Sequence, residues 1–485
     1  MKINRKNIIT LFKKIYNVYE NHDLVYRVVE IIINKLYKYH DNIYKLAEEL
    51  KNNNTNYKSY YSYINSIVIY KYITHSDIDD ENMFLILASI KEILYDCLCC
   101  ISYDKLRGVD ELKQIHANFI YYDLIIVNNE LTQKCFKLFI LFYYINTLFI
   151  HKQHYIGIDF EFNSRKIALM QINFEDTFVT YRDLNNYIFI IYPPQYDTKI
   201  LNFFKKNILC NSHITKILHG SDSLDIPYMF YELFENNKKD IIKFTKTIVD
   251  TKYLCECYNK EHNLTDNKCK IYEALKNMEV ISSDKFDSLM KNDEDMGHIY
   301  EITIDINNLS RNLIFYAIYD VLFLKYLYGS YIISKSNKKY YTTIIPEITQ
   351  LVFLEKREIT SIIKKYKVIG DSMNNYMTKN NKTNTRLNDM FDNIINNINI
   401  DIIPLDLLLS INYFKSEITI LLKYITYYII SQIHIIYITS TNIFNDTLSI
   451  SEIISDLEKL HCNSMVSIIK EFKEKTFDMI DKIKN

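Results

Sequence analysis

From residue 7 to about residue 112, apolar positions recur three and four apart, as in Leu85, Leu87, Ile90, Ile93, Leu94 and Cys97, with polar breaks near 52–56 and 76–80. That spacing lines one helix face and predicts an all-helical region over 1–112. The pattern then changes. Residues 119–127 are rich in β-branched and aromatic side chains, 131–149 return to helical spacing, and 155–162 read as a buried central strand. Further strand-like runs fall at 168–174, 177–180, 188–192 and 214–219, and helical patterns at 226–234, 254–258 and 309–327. After Ser334 the chain reads as helical again, broken by an Asn/Lys/Thr-rich stretch at 377–386 that has too little apolar surface to pack.

Strands first and helices after predict a mixed α/β sheet with helices packed on it. The chain therefore divides by pattern into an N-terminal helical region (1–112), a central α/β domain (113–335) and a C-terminal helical region (336–485). A length of 485 residues with 48% hydrophobic content is more than one ordinary core holds, which agrees with several domains. Two runs raise a membrane question. Residues 136–150 amount to about 15 positions, short of the ~20 a spanning helix needs, and 418–439 are broken by Lys423, Gln432 and His434. Both are expected as buried helices, with no membrane partner.

Charge narrows the function classes. The 58 basic residues nearly cancel the 59 acidic ones, so the net charge of −1 excludes a protein that coats nucleic acid by bulk attraction. A polyanionic substrate has to be held by a local basic groove and by metal. Nine cysteines without disulfide-framework spacing, and no apolar signal core at the start, lead to the expectation of an intracellular, reducing setting.

The chemistry concentrates in three places. Asp159 and Glu161 lie two apart on a predicted strand, so both carboxylates share one face while Ile158, Phe160 and Phe162 point the other way. Two acids side by side on an apolar strand repel and are costly to desolvate, and a divalent cation is the usual remedy. Tyr316 and Asp320 are four apart on a helical run with Ser310 as its expected N-cap, so they sit one turn apart on one face. Finally, His219-Gly220 ends a strand and a helix opens near Asp225, with Asp222 before it; either aspartate can be a helix cap or a ligand, and the bland reading is preferred for Asp222.

Taken together, IGIDFEF (156–162), ALMQI (168–172), KILHGSDSLDIPYM (216–229), VDT (249–251) and YAIYDVLFL (316–324) resemble the ribonuclease D and Werner-type exonucleases. These belong to the four-acid-plus-tyrosine (DEDDy) group of 3′-to-5′ exonucleases. The resemblance implies a ribonuclease H-like fold for the central domain and hydrolysis of phosphodiesters at DNA or RNA 3′ ends, releasing nucleoside 5′-monophosphates. It further implies two Mg²⁺ or Mn²⁺ ions held by Asp159, Glu161, Asp225 and Asp320, with Asp222 as rival to Asp225, and Tyr316 orienting the attacking water. An all-carboxylate site suits those hard cations. The alternative is a catalytically silent exonuclease fold that binds nucleic acid or serves as a scaffold. The composition, heavy in Asn, Ile, Lys and Tyr, together with the motifs, points to a large DNA virus.

Other features carry blander readings. Cys255, Cys257, His262 and Cys269 crowd together, but Cys-x-Cys is not the usual zinc-knuckle spacing. Arg165, Lys166, Lys199, Lys205 and Lys206 can contact phosphates, though each reads more simply as surface charge. His219, at a buried strand end, is expected as a satisfied core histidine rather than a base.

Overall fold

The computed structural model describes residues 106–113, 119–129, scattered positions between 132 and 147, and then 153–175, 184–196, 198–264, 267–333, 340–360 and 450–484. Most of the helical region expected over 1–112, the strand expected at 177–180, the polar stretch at 377–386 and the apolar run at 418–439 lie outside these residues. The described chain is mixed α/β, with seven strands and flanking helices. It divides into two compact units, Met1–Ile214 with Asn292–Leu322, and Thr215–Lys291 with Phe323–Asn485.

In the first unit, β1 (Leu106–Glu111), β2 (Phe119–Val127), β3 (His154–Asn163), β4 (Lys166–Glu175) and β5 (Leu184–Ile191) run in the order β1-β2-β5-β4-β3. The β1–β2, β3–β4 and β4–β5 pairs are antiparallel and β2–β5 is parallel. β1 is a strand inside the segment that the apolar spacing assigned to helix. Its edge position explains the misreading, because an edge strand need not alternate strictly.

The two faces of this sheet differ, and register shows how. Ile158 pairs with Ile172, which pairs with Phe189, and on this face the rings of Phe174 and Phe189 meet Phe139 at 5.0 and 4.8 Å. Phe136, Phe139, Ile140 and Tyr143, among the described positions of the apolar run, are buried at helical spacing on this face. On the opposite face Asp159 pairs with Gln171, and Asn173 follows. That face receives α7 (Arg311–Leu322), which packs on β3, β4 and β5. Among the described residues one helical run, Arg311–Ile333, is long and apolar enough to cross a membrane; 72% of its most apolar window is buried, as in a core helix.

Before α7 in the chain come α1 (Thr198–Phe204), α2 (Asp225–Tyr228), α3 (Lys238–Thr245), α4 (Thr251–Glu261), α5 (Ile271–Asn277) and α6 (Ser283–Met296). In the second unit β6 (Ile214–Leu218) pairs in parallel with β7 (Ile248–Asp250). The helix expected over 226–234 opens as α2 and widens into a π-helical turn over Met229–Leu233. After α8 (Leu324–Ile333), α9 (Ile345–Lys356) packs on β7 and α4. Glu347 of α9 accepts the backbone N–H groups of Ser464 and Met465 at 2.8 Å each, capping α11 (Asn463–Lys484) next to α10 (Ile450–Lys459).

A polar link ties α7 to the sheet edge. Tyr319 donates to Asp110 of β1 at 2.6 Å and is hydrogen-bonded to Tyr122 of β2. Tyr122 lies across Gly108, where a Cβ would fall 2.0 Å from its Cζ. Gly108→Ala must therefore push the ring off its tyrosine partner, and we expect a loss of about 1–3 kcal/mol in chemical denaturation. In a Tyr122→Ala background the same glycine substitution should cost only a few tenths of a kcal/mol; equal losses in both backgrounds would place the glycine's role elsewhere.

Candidate metal centre

β3 and α7 bring the site together. Asp159 lies on the face of β3 opposite Ile158 and Ile172, with Glu161 two residues on, so both side chains project into the layer that α7 covers. Ser310 caps that helix, its Oγ accepting from Leu313 N–H at 3.2 Å, as the sequence predicts. At the far end Asn173 of β4 donates from Nδ2 to the carbonyls of Val321 (3.2 Å) and Leu322 (3.4 Å), satisfying groups a helix C-terminus leaves open. The helix is thereby seated with Tyr316 and Asp320, one turn apart, towards the acidic strand.

One oxygen from each of Asp159, Glu161 and Asp320 lies within 4.8 Å of the others. Glu161 and Asp320 are each only 6% exposed and Asp159 is half-buried. Gln171, fully buried beside them, donates from Nε2 to Glu161 Oε1 at 3.3 Å. Tyr316, half-buried, is hydrogen-bonded to Asp320. Asp320 Oδ2, by contrast, is buried with no hydrogen-bond partner.

Electrostatics express the same crowding. Burial pushes the Asp159 carboxyl up to about 7, against a backbone hydrogen bond at Phe160 that pulls it down. Asp320 is driven well above the usual carboxylate range, first by burial and then by the charges of Asp159, Glu161 and Asp293, while the Tyr316 hydrogen bond opposes the shift. Hard carboxylate oxygens within 4.8 Å of one another, with an orphaned buried oxygen among them, form a group that could hold a metal ion.

Asp225 and Asp222 belong to the second unit. Asp225 is the first residue of α2, where the helix was expected to open. Asp222 is engaged otherwise: its Oδ2 meets Lys356 Nζ at 2.6 Å and its carbonyl accepts from Arg357. Burial pushes the Asp222 carboxyl up, but the Lys356 bond and charge, with Lys252, hold it below its ordinary value. The sequence led to the expectation of a cap for Asp222, and the structure shows an ion pair with Lys356 in its place.

His219 is also satisfied, with Nε2 at 2.9 Å from the Cys269 carbonyl and Nδ1 at 2.9 Å from Thr251 Oγ1, and burial holds its pKa down. Asp250, in the VDT stretch, accepts from Gly220 N–H, Ser221 N–H and Oγ, and Lys252 N–H, at 2.9–3.0 Å, and so fixes the loop before α2. The cysteine cluster is not arranged as a zinc site: Cys255 and Cys269 form a disulfide, Cys257 is buried outside it, and His262 turns to the Tyr258 carbonyl. Arg165 and Lys166 are exposed at the β3–β4 turn and Lys206 is exposed after α1, whereas Lys205 is half-buried.

Sequence reasoning missed the supporting residues. Gln171 and Asn173 were legible only as polar interruptions of an apolar strand at period two, which places them on the face of Asp159. Asp293, which adds its charge to the field at Asp320, carried no signal at all.

No family model matches the chain. A protein of Acanthamoeba polyphaga mimivirus, "Uncharacterized protein L533", is 34% identical to it over 414 residues, covering 80% of each chain. The chain belongs to that mimivirus protein's family. A match of this extent necessarily spans the central residues that hold the carboxylate cluster, and the viral relative accords with the source that the composition indicates.

Carboxylates whose folded pKa values lie above their unfolded ones bind more protons when folded, so the metal-free protein should lose stability as pH rises from about 4 through about 7. We expect its melting temperature to fall across that window, and Mg²⁺ to raise it more at pH 8 than at pH 5. Asp159→Asn should flatten both dependences. A Mg²⁺ effect equal at both pH values and unchanged in that variant would separate the cluster from cation binding.

Proposed function

We propose that this member of the mimivirus protein family is a metal-dependent 3′-to-5′ exonuclease that shortens nucleic acid from its 3′ end, releasing nucleoside 5′-monophosphates. The observation that carries the reading is the buried, unpartnered Oδ2 of Asp320 set among the oxygens of Asp159 and Glu161, with Tyr316 hydrogen-bonded to the same aspartate. A carboxylate left in that state is expensive unless a cation completes it. The antiparallel β3–β4–β5 run, followed in sequence by the parallel β6–β7 pair, favours a ribonuclease H-like fold for this region.

In this reading Asp159, Glu161 and Asp320 would hold a divalent cation, Mg²⁺ or Mn²⁺, and the motif resemblance alone supplies Asp225 as the fourth acid. Bound cations would supply Lewis-acid chemistry, lowering the pKa of a water and offsetting the charge that grows on the phosphoryl oxygens. The chain's own groups do the rest. Gln171 keeps Glu161 in one rotamer, and Asp320 holds the Tyr316 hydroxyl where it can orient the attacking water. Exposed Arg165 and Lys166, just past the end of β3, would supply contacts to backbone phosphates in this reading.

The test is incubation with 3′- and 5′-labelled single-stranded DNA and RNA in Mg²⁺, Mn²⁺ or chelator. Asp159→Ala should abolish cleavage, and undiminished cleavage by that variant would sink the assignment. Tyr316→Phe should keep cation binding and slow turnover about a hundredfold, because only the hydroxyl is lost; an equal loss of cation affinity would make the tyrosine structural.

The two aspartates before α2 separate by amide substitution, since asparagine keeps an acceptor oxygen but not the charge. Asp225→Asn should lose at least ~10²-fold in rate at saturating Mg²⁺. Asp222→Asn should stay within a few-fold, and the reverse ranking would move the ligand to Asp222.

A further inference from the structure

The chain leading into α7 is tied to the strand that carries Glu161. Asn163, the last residue of β3, donates from Nδ2 to the Ile304 carbonyl at 2.8 Å and accepts from Ile304 N–H through Oδ1 at 3.0 Å. One side-chain amide thus supplies both bonds that a neighbouring strand would offer this residue. Ile304 and Ile306 anchor the segment, only 5% and 7% exposed.

The stretch from Ile304 to α7 is itself held. Asp305 Oδ1 accepts from Asn307 N–H at 3.0 Å, Asn308 N–H reaches the Asp305 carbonyl at 2.9 Å, and the Ser310 cap follows. The short segment from Ile304 to the first turn of α7 is therefore tied to Asn163, turned at Asp305 and capped at Ser310. Between Glu161 and Phe162 the β3–β4 register shifts, so the strand end departs from regular pairing where Asn163 takes its new partner.

We propose that Asn163 is a positioning residue for the carboxylate cluster, fixing the setting of α7, with Tyr316 and Asp320, against β3, with Asp159 and Glu161. The inference rests on the cluster being a cation site and adds a residue outside it. Each amide bond is a modest share of the stability of the fold. The same two bonds govern how closely Asp320 approaches Glu161, and coordination by rigid carboxylates is sensitive to displacements far smaller than those that unfold a protein.

The experiment is titration of the full chain with Mn²⁺ alone, in the absence of nucleic acid, alongside thermal melting of the metal-free protein. Asn163→Ala should weaken Mn²⁺ binding about tenfold. Asp305→Ala, at an exposed position further along the tether, should weaken it a few-fold in the same direction with little change in melting temperature. Parent-like Mn²⁺ affinity in the folded variants overturns the proposal, because a merely structural asparagine would lower the melting temperature and leave affinity intact. If Asn163→Ala does not fold, Asp305→Ala decides alone. A parent that binds Mn²⁺ but cleaves no nucleic acid sinks the exonuclease reading and leaves this one standing, whereas a parent that binds no Mn²⁺ sinks both.

Discussion

The repulsion among Asp159, Glu161 and Asp320 is the constraint around which this part of the molecule is arranged. Their oxygens lie within 4.8 Å of one another in a layer closed by α7 on a β-sheet, and Asp320 Oδ2 has no hydrogen-bond partner there. Like charges so placed raise one another's pKa values and lower the stability of the fold unless protons or a cation neutralise them. The rise of Asp159 to about 7 and the larger rise of Asp320 are two expressions of that cost.

Holding the cluster together requires work from residues that are not acidic. Gln171 takes one oxygen of Glu161, Asn173 takes the C-terminal carbonyls of α7, and Ser310 caps its N-terminus. Tyr319 and Asp110 fix the same helix to the sheet edge. The opposite face of the sheet is filled by aromatic rings, so apolar packing is segregated from the polar face and can stiffen β3 and β4 without diluting the charge. Rigidity on one face makes a demanding arrangement on the other possible.

Much of this was legible in the sequence, for reasons specific to each element. Period two put Asp159 and Glu161 on one face, and the i, i+4 spacing of Tyr316 and Asp320 behind Ser310 gave the helix, its cap and its polar stripe. Both are local rules, and the structure joins the two pairs at Asp320. What sequence could not give is non-local. The bonds of Asn163 to Ile304 link residues 141 apart, and nothing in either neighbourhood announces the pairing. The disulfide between Cys255 and Cys269 escaped notice because their spacing matches no framework, and β1 was misread because an exposed edge relaxes the alternation that marks a strand. The Lys356 ion pair of Asp222 was not legible either, because it joins residues 134 apart.

Whether the three carboxylates form a cation site is answered by diffraction from Mn²⁺-soaked crystals, with anomalous scattering recorded at the manganese edge. A cation site there gives an anomalous peak within bonding distance of Asp320 Oδ2 and of carboxylate oxygens from Asp159 and Glu161, absent from Asp320→Asn crystals soaked in the same way. Manganese bound elsewhere on the chain, with those three carboxylates protonated and hydrogen-bonded to one another, would contradict it.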